Sequence, residues 1–213
     1  MNETLKDNPT TDDENSKRII EHGGERIFRE GFSKITMDEL AADLQMSKKT
    51  IYKYFDSKNN LVESVANKFM SNAACEIGKV IDSDKNAVVK FIGILKFFSK
   101  MANFISERLI IDLQRKLPRL WKRIDEFRAK MMHINLSKII NQGKEEGLIK
   151  DYPTEIAITM VIAAVRSVVN PDFLLNNNYS METAISTCFD IMFSGLLTDK
   201  GKKVYNNYKK EAE

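Results

Sequence analysis

The sequence contains few residues that cross-link or interrupt a chain. Only two cysteines, Cys75 and Cys188, occur in 213 residues, which excludes a disulfide framework. Both lie in apolar helical patterns, and we interpret them as small core residues in a reducing compartment; a redox switch between them is an alternative without further support. Four prolines, nine glycines and the lack of alternating valine-rich runs favour an all-α protein.

Long apolar segments are also missing. No apolar run reaches the roughly 18 residues that a membrane span needs. The start of the chain is polar and acidic, and has neither the cationic nor the apolar region of a signal peptide. We therefore expect a cytoplasmic protein with no membrane partner.

Residues typical of catalytic and metal sites are scarce. His22 and His133 are the only histidines, and neither belongs to a cluster with metal-ligand spacing. The sequence shows no nucleophile–base pair and no phosphate-binding loop. It therefore predicts neither an enzyme nor a bound cofactor or metal ion.

Neither sign of charge is in large excess. The net charge of +3 is too small to indicate nucleic-acid binding by itself. Its distribution is more informative, because residues 1–16 hold five acidic residues against Lys6 alone, whereas residues 47–58 hold four lysines against Asp56 alone. The local charge therefore changes from negative to positive along the chain, and the positive segment is a candidate for contact with DNA.

Residues 36–55 have the form of two short helices around a tight turn. Thr36 and Glu39 have the spacing of a capping box at the start of the first helix. Gln45 and the following methionine form the turn, and Ser47 is the N-cap candidate of the second helix. This pattern predicts a helix-turn-helix.

The second helix of this pair carries cations, hydroxyls and phenols. Ile51 and Phe55 anchor it at a spacing of one helical turn. Such a helix suits a major groove, where Lys and Tyr reach phosphates and Lys and Thr reach base edges. A solvated lysine face is the alternative. The candidate DNA-binding residues of this helix are Lys48, Lys49, Thr50, Tyr52, Lys53 and Tyr54.

The remaining pattern predicts a series of helices. Apolar periodicity after Ser57 continues to about Ile81, so we expect one long helix with the domain boundary inside it and no linker. Residues 170–179, with Pro171 and three consecutive asparagines, are interpreted as a loop. The predicted organisation is a disordered acidic arm (1–15), a helix-turn-helix DNA-binding domain (16–62, with its motif at 36–55), a larger helical domain (63–199) and a basic polar tail (200–213).

The run Thr-Ile-Tyr-Lys-Tyr-Phe-Asp-Ser-Lys at 50–58 is highly specific. Further matching residues are Ile27-Phe28, Gly31-Phe32, Ile35-Thr36, Leu40-Ala41, Ser47 and Leu61. On these residues the stretch from Ser16 to about Phe69 resembles the N-terminal domain of the TetR (tetracycline-repressor-like) transcriptional regulators. Over the rest of the chain the resemblance is one of helical architecture.

The resemblance implies an all-α fold. An N-terminal three-helix helix-turn-helix domain would join, through a long fourth helix, a larger helical ligand-binding and dimerisation domain. The implied DNA contacts are Thr36 and Lys58 to phosphates, Lys48, Lys49 and Thr50 to bases, and Tyr52 and Tyr54 to phosphate or a thymine methyl. Two positions depart from the family pattern: Gln45 replaces the usual turn glycine, and Lys49 replaces a glycine common early in the recognition helix.

Aromatic and methionine residues of the C-terminal part permit two interpretations. They could line an apolar pocket for an effector, or they could be ordinary core, which is a common role of methionine. The candidate pocket residues are Phe91, Leu95, Phe98, Met101, Phe104, Trp121, Phe127, Met131 and Met160.

The last two strongly apolar helices, predicted at 156–169 and 181–197, permit two interpretations. Their apolar sides could be buried within one chain, or they could form a dimer interface. Small residues in the first of them allow close helix approach, and the resemblance implies a four-helix interface made by two such pairs. A helix-turn-helix dimer needs its recognition helices about 34–36 Å apart. The candidate interface residues are Ala163, Ala164, Val168, Phe189, Met192, Phe193 and Leu196.

These observations favour a homodimeric repressor that binds a pseudo-palindromic double-stranded DNA operator and is released by a small, largely apolar ligand. The alternatives are a helical small-molecule-binding module without DNA binding, an activator of the same fold, and a regulator without an effector. Salt-dependent affinity for duplex DNA would separate the first alternative from the others.

Overall fold

The computed structural model describes residues 11–211, with side chains from residue 14 to residue 208. Within this part the chain forms eleven α-helices, one 3₁₀ helix at Phe32–Lys34 and no strand, so the predicted all-α class is confirmed. The helices are α1 (Thr11–Glu30), α2 (Met37–Asp43), α3 (Lys48–Tyr54), α4 (Lys58–Ile81), α5 (Ala87–Phe104), α6 (Glu107–Lys116), α7 (Pro118–Glu145), α8 (Thr154–Val168), α9 (Pro171–Asn177), α10 (Met181–Leu196) and α11 (Asp199–Glu211).

The first helix is longer than predicted. α1 begins at Thr11 rather than Ser16, so the assignment of residues 11–15 to a disordered arm is wrong. The acidic composition that suggested disorder also suits a helix N-terminus, where the helix dipole favours negative charge. Residues 1–10 of the predicted arm lie outside the described residues.

The first three α-helices enclose a small core with the start of α4. Ile19, Leu40 and Ile51 contribute one wholly buried side chain from each of α1, α2 and α3. The glycine pair of α1 lies against α4, and a Cβ added at Gly24 would come within 3.3 Å of Val65 Cγ1. The pair therefore permits a close approach of α1 to α4.

Local hydrogen bonds fix the helix starts in this region. Thr36 Oγ1 accepts the Glu39 backbone N–H at 3.1 Å, and the Glu39 carboxylate accepts the Thr36 backbone N–H at 2.8 Å. Ser47 and Ser57 each accept a backbone N–H from three residues ahead. The predicted capping box and the predicted N-cap at Ser47 are therefore confirmed, and Ser57 caps α4 in the same way.

α4 is the element shared by both halves of the molecule. It runs without interruption from Lys58 to Ile81, a length of about 36 Å at about 1.5 Å per residue. Leu61 and Val65 in its first half belong to the N-terminal core, whereas Ile77 belongs to the larger C-terminal core. Residues 62 and 63, between which we place the domain boundary, lie inside this helix.

The larger core is formed mainly by α5, α7, α8 and α10. Phe91 of α5 stacks on Phe193 of α10 with ring centroids 3.4 Å apart, and meets Phe189 edge-on at 5.7 Å. Ile139 of α7 and Ile158 of α8 are wholly buried in the same cluster. Aromatic stacking and aliphatic packing together join these four helices.

The segment 170–179 is not the predicted loop, because it contains α9. Asn170 caps this helix by accepting the Phe173 backbone N–H at 2.9 Å. Pro171 occupies the first turn, where its missing N–H is not needed. Asn178 ends the helix in the left-handed conformation with φ of 54°. The residues interpreted as loop signals are the caps of a short helix.

The predicted basic polar tail is also wrong for residues 199–211, which form α11. Tyr205 is buried, its ring meets the Phe193 ring at 6.1 Å, and its hydroxyl bonds with the Asp190 carboxylate. This apolar side packs α11 onto the larger core, while lysines cover its outer side. Residues 212–213 lie outside the described residues.

The two cysteines differ in burial. Cys188 is buried in the larger core as expected, but Cys75 is exposed on α4 and is not a core residue. Cys75 lies on a face of α4 that belongs to neither core.

Between residues 11 and 211, no single helix combines the length and the apolar composition of a membrane span. α8 and α9 meet those two criteria only as a pair that is bent by 60°.

Candidate nucleic-acid interface and internal cavity

α3 buries one face and exposes the other. Ile51 and the C-cap residue Phe55 are buried in the N-terminal core, as predicted. The opposite face points into solvent, with Tyr52 39% exposed. Its outward side chains are Lys48, Lys49, Tyr52 and Lys53. The helix therefore presents a basic surface that contains one phenol.

The turn before α3 contains a strained residue. Gln45 has φ of 54°, a left-handed conformation that disfavours side chains other than those of Gly, Asn and Asp. The Met46 backbone N–H bonds to the Ala41 carbonyl at 2.8 Å and closes the end of α2. The turn thus reaches its geometry without a glycine.

Lys48 is paired with a carboxylate of α2. Its Nζ lies 2.8 Å from Asp38 Oδ1 and 3.0 Å from Oδ2. The hydrogen bond to Asp38, with the attraction of its charge, raises the pKa of Lys48 above its ordinary value. A DNA phosphate must compete with Asp38 for this cation. Lys49 has no such carboxylate partner among the residues described here.

Lys58 is also engaged within the protein. Its Nζ donates to the carbonyl oxygens of Phe32 at 3.1 Å and Ile35 at 3.0 Å, and lies 5.9 Å from the centre of the Phe32 ring. This ammonium group fastens the start of α4 to the segment before α2. Of its three N–H donors, only the remaining one can reach a phosphate.

Three other predicted DNA-binding residues also make contacts within the protein. Thr36 is exposed and belongs to the capping box described above. Thr50 Oγ1 lies 2.7 Å from Ser47 Oγ. The Tyr54 hydroxyl is 3.4 Å from Asn15 Nδ2, in the part of α1 that the sequence did not predict to be helical. The structure thus places the predicted residues around α3 and the N-termini of α2 and α4.

An ion-pair network joins α1 to the end of α2. Arg26 bonds to Glu30 at 2.8 Å and to Asp43 at 2.9 Å, and His22 Nε2 lies 3.1 Å from the same Asp43 oxygen. The hydrogen bonds from His22 and then Arg26 lower the pKa of Asp43. The two contacts to Asp43 are exposed, so each contributes orientation more than stability.

A cavity of about 170 Å³ lies where the two cores meet. Side chains from α1, α4, α5, α6, α7, α8 and α10 form its wall. Five of the predicted pocket residues line it: Phe98, Met101, Trp121, Phe127 and Met131. The wall also includes Ile27 and Val62 of the N-terminal core. A molecule in this cavity would therefore contact helices of both cores.

Four predicted pocket residues do not line this cavity. Phe91 is buried in the aromatic stack of the larger core, and Leu95 packs against the same core. Phe104 lies at the end of α5, 38% exposed and 5.3 Å from the Phe28 ring. Met160 is 55% exposed on α8. Their positions on α5 and α8 turn these side chains away from the cavity.

Other lining residues were missed by sequence reasoning. Phe69, Met70 and Ala73 of α4 form part of the wall, as does Arg128 of α7. The apolar periodicity of α4 predicted its burial but could not indicate that part of the buried face borders an empty volume. No sequence signal distinguished Arg128 from the exposed cations of α7.

The predicted dimer face is partly wrong. Phe189 and Phe193 are each 3% exposed because they point into the larger core, and Phe189 also lines the cavity. Of the others, Ala163 is exposed, and the half-buried ones are Ala164, Val168, Met192 and Leu196. Three exposed apolar residues of α8 and α10 were missed as interface candidates: Ile156, Met160 and Ile191.

A buried carboxylate connects α6 to the DNA-binding region. Asp112 Oδ2 accepts the Ser33 backbone N–H at 2.9 Å and Oδ1 accepts the Ser33 hydroxyl at 2.6 Å. Burial would raise the pKa of Asp112, but the bonds from Ser33 and the nearby cations Lys116 and Arg108 outweigh it and lower the pKa below its ordinary value. We call Asp112 and Ser33 the α6 clasp.

Within residues 11–211, no group of three or more His, Cys, Asp or Glu side chains is arranged to hold a metal ion.

Comparison with known proteins identifies relatives of this architecture. Residues 19–65 match the family model of the bacterial regulatory proteins, tetR family. Over 185 residues the chain is 25% identical to the uncharacterized HTH-type transcriptional regulator YvaF of Bacillus subtilis (strain 168), covering 86% of this chain and 96% of that protein.

Solved structures share the fold at low sequence identity. A transcriptional regulator from Cytophaga hutchinsonii ATCC 33406 is 21% identical with a TM-score of 0.68, covering 85% of this chain and 98% of that one. A TetR transcriptional regulator from Chloroflexus aurantiacus J-10-FL is 14% identical with a TM-score of 0.65, covering 87% and 97% of the two chains.

Proposed function

We propose that this chain, which belongs to the tetR family of DNA-binding bacterial transcriptional regulators, is a homodimeric repressor of the cytoplasm. It binds a pseudo-palindromic double-stranded operator through α3, and a small, largely apolar ligand releases it. The proposal includes no catalytic step.

The outward face of α3 is the observation that carries the proposal. Ile51 and Phe55 hold the helix on the N-terminal core, so its lysines and Tyr52 project from a fixed base. The capped starts of α2 and α3 restrict the angle between the two helices. A rigid basic helix of this kind can enter a major groove without a prior folding step. We assign base contacts to Lys49 and Thr50, and phosphate contacts to Thr36, Tyr52, Lys53 and Tyr54.

Lys48 and Lys58 receive a different role in the proposal. Each is already bonded inside the protein, Lys48 to Asp38 and Lys58 to two carbonyls. DNA contact by Lys48 uses an N–H that Asp38 does not hold, whereas Lys58 contributes mainly by positioning the start of α4 and by its one remaining N–H.

Ligand release follows from the position of the cavity. α4 contributes to its wall between Val62 and Ile77, and α1 contributes Ile27 and Phe28. A ligand that fits better when α4 is displaced shifts the population toward that arrangement. Because α3 is followed directly by α4, the spacing of two recognition helices then no longer matches successive major grooves.

Dimerisation through α8 and α10 is supported by their exposed apolar side chains. Met160 and Ile191 are 55% and 68% exposed, and Ala163, three residues after Met160 on α8, is exposed as well. A second copy would cover these side chains in an isologous contact. The two copies would then present two α3 helices to one duplex.

The test is a mobility-shift titration of the full chain on DNA from the region upstream of its own gene. The variant Lys49→Ala with Lys53→Ala is expected to weaken binding at least about tenfold and to reduce the salt-dependence slope by about one for each lost phosphate contact. The control, Lys122→Ala with Lys202→Ala, removes the same charge from exposed positions of α7 and α11.

Equal effects of the two double variants would contradict the assignment of α3 and leave only a non-specific charge effect. Absence of any salt-dependent duplex affinity in the unmodified chain would favour the ligand-binding module without DNA binding. A reporter gene behind the same operator distinguishes repression from activation by the sign of the change when the gene for this chain is deleted.

A further inference from the structure

Arg128 is the charged residue in an otherwise apolar cavity wall. It lies on α7, and among the described lining residues every other side chain is apolar except for the indole N–H of Trp121. Arg128 is half-buried and lines the cavity, and burial is the main cause that lowers its pKa. A guanidinium group in such surroundings is costly unless a partner pairs with it.

No protein group among the described residues supplies that partner by hydrogen bond or ion pair. The nearest carboxylate that influences Arg128 is Asp125, one helical turn earlier. Asp125 is already bound by Arg166 of α8, whose Nη2 and Nε lie 2.7 Å and 3.4 Å from its two oxygens. The single negative charge of Asp125 therefore faces the two positive charges of Arg128 and Arg166, so these three residues together carry a net charge of +1.

The electrostatic effect on Arg128 agrees with this arrangement. Burial lowers the pKa of Arg128, the charge of Asp125 opposes the decrease, and the charge of Arg166 adds to it. The group nevertheless stays protonated at neutral pH, because the ordinary pKa of arginine lies far above that range. A permanent cation thus faces an apolar space.

We propose that the cavity binds an amphiphile with one anionic group, whose anion pairs with Arg128 while its apolar body lies between α4, α5 and α7. This inference rests on the proposed role of the cavity as the effector site, and it specifies the chemistry of the effector. A carboxylate suits the planar fork of a guanidinium group because two parallel N–H···O bonds can form.

The shape of the cavity favours a narrow or flexible body. Its volume of about 170 Å³ is below the roughly 300–1,000 Å³ of pockets for drug-sized ligands. Met70, Met101, Met131 and Met132 contribute to its wall. Methionine side chains adapt easily, so the cavity can lengthen around an alkyl chain with little cost in packing.

Binding can be measured without DNA, because Trp121 is the only tryptophan of the chain and lines the cavity. Its fluorescence is followed while the full chain is titrated with decanoate, decyl sulfate, decanol and decylammonium, each below its micelle concentration. Both anions are expected to bind about tenfold or more tightly than decanol, as a charge-assisted hydrogen-bonded pair implies. Decylammonium should bind most weakly. Tighter binding of decanoate than of decyl sulfate indicates that the natural ligand carries a carboxylate. Tighter binding of decyl sulfate indicates a sulfate- or phosphate-like group.

Variants of Arg128 decide whether the cation is responsible. Arg128→Met, of similar length, should remove the preference for decanoate over decanol, and Arg128→Lys should retain part of it. Thermal unfolding of each variant shows whether it is folded, and the lysine variant keeps the test valid if the methionine variant is not. Equal affinity for decanoate and decanol in the unmodified chain, or an unchanged preference in Arg128→Met, would overturn the inference.

The two proposals can fail separately. Decanoate binding that depends on Arg128 but leaves the operator complex intact would support the anion site and contradict ligand release. Release of operator DNA by decanol and decanoate at equal concentrations would support release by an apolar ligand and contradict the anion site.

Discussion

Gln45 stores strain in the turn between α2 and α3. Its φ of 54° costs a residue with a side chain about 1–2 kcal/mol, and its exposed side chain makes no compensating hydrogen bond among the described residues. Glycine would avoid the strain but would lose more conformational freedom on folding, about 0.5–1 kcal/mol. The strain is the larger of the two effects.

We therefore expect Gln45→Gly to raise the free energy of unfolding by about 0.5–1 kcal/mol. Urea denaturation of the full chain measures the change. Gln45→Ala is the matched control, because it also shortens the side chain but keeps the strained Cβ. A glycine variant no more stable than the alanine variant would show that the turn is not strained in solution.

Residue-scale predictions from sequence succeed where the partner is close in the chain. The capping box of Thr36 and Glu39 and the N-cap at Ser47 depend on groups three residues away, so spacing alone indicates them. Lys48 and Lys58 were assigned to DNA because sequence shows their charge but not their partners. Asp38 lies on the preceding helix, and the carbonyl of Phe32 is 26 residues from Lys58, so only the fold reveals these bonds.

At the scale of elements, the α6 clasp connects the wall of the cavity to the segment that precedes α2. Asp112 lies on α6, which also contributes Leu109 and Leu113 to the N-terminal core. Ser33 follows Gly31, where a Cβ would come within 2.9 Å of Arg108 and 3.0 Å of Asp112. The close approach of α6 to this turn therefore depends on both glycine and the buried carboxylate.

The clasp makes stability depend on pH in a stated direction. The pKa of Asp112 is lower in the folded state than its unfolded value of about 3.9. Its contribution is therefore fully present above about pH 4 and is lost as the pH falls through the folded pKa.

We expect Asp112→Asn to lower the free energy of unfolding by about 1–3 kcal/mol near neutral pH, as the loss of a charged hydrogen-bond acceptor does. The difference between this variant and the unmodified chain should shrink on acidification, because protonation removes the same charge from Asp112. Chemical denaturation of both proteins at a series of pH values below about pH 6 measures this difference in the free energy of unfolding. A difference that stays constant down to the lowest pH would contradict the depressed pKa.

Element-scale prediction failed mainly at the ends of the chain and between α8 and α10. α11 was missed because lysines dominate residues 199–211, while the buried Tyr205 depends on a neighbouring helix for its role. α9 was missed because Pro171 and the asparagines also serve as helix caps. α4, in contrast, was predicted because its apolar periodicity continues along its whole length.

At the scale of the whole molecule, the uninterrupted helix α4 connects the cavity to the DNA-binding region. Val65 and Ile77 of this one helix both line it, and Lys58 at its N-terminus is bonded to the segment before α2. A ligand that displaces α4 cannot leave α3 unaffected, since only Phe55 to Ser57 separate the two helices. The sequence predicted this helix but could not indicate the empty volume beside it.

Dimerisation would turn that displacement into a change of DNA affinity, because each α3 would read only half of the proposed operator. We expect Met160→Asp with Ile191→Asp to produce monomers, since an isologous contact would bury unpaired carboxylates from both copies. Sedimentation or light scattering measures the mass. Operator affinity should fall about a hundredfold or more, because the gain from binding two linked half-sites is lost.

Leu175→Asp is the matched control, since it places the same charge at a 51% exposed apolar residue of α9, outside the proposed interface. It should leave both mass and operator affinity unchanged, and circular dichroism should show equal helix content in all variants. The double variant isolates dimerisation from base contact, because α3 is untouched in it. If the double variant remains dimeric, the interface lies elsewhere and the exposed residues of α8 and α10 need another partner. If the double variant is monomeric but keeps its full affinity for the operator, a single α3 is sufficient for binding and the two-groove mechanism of release is wrong.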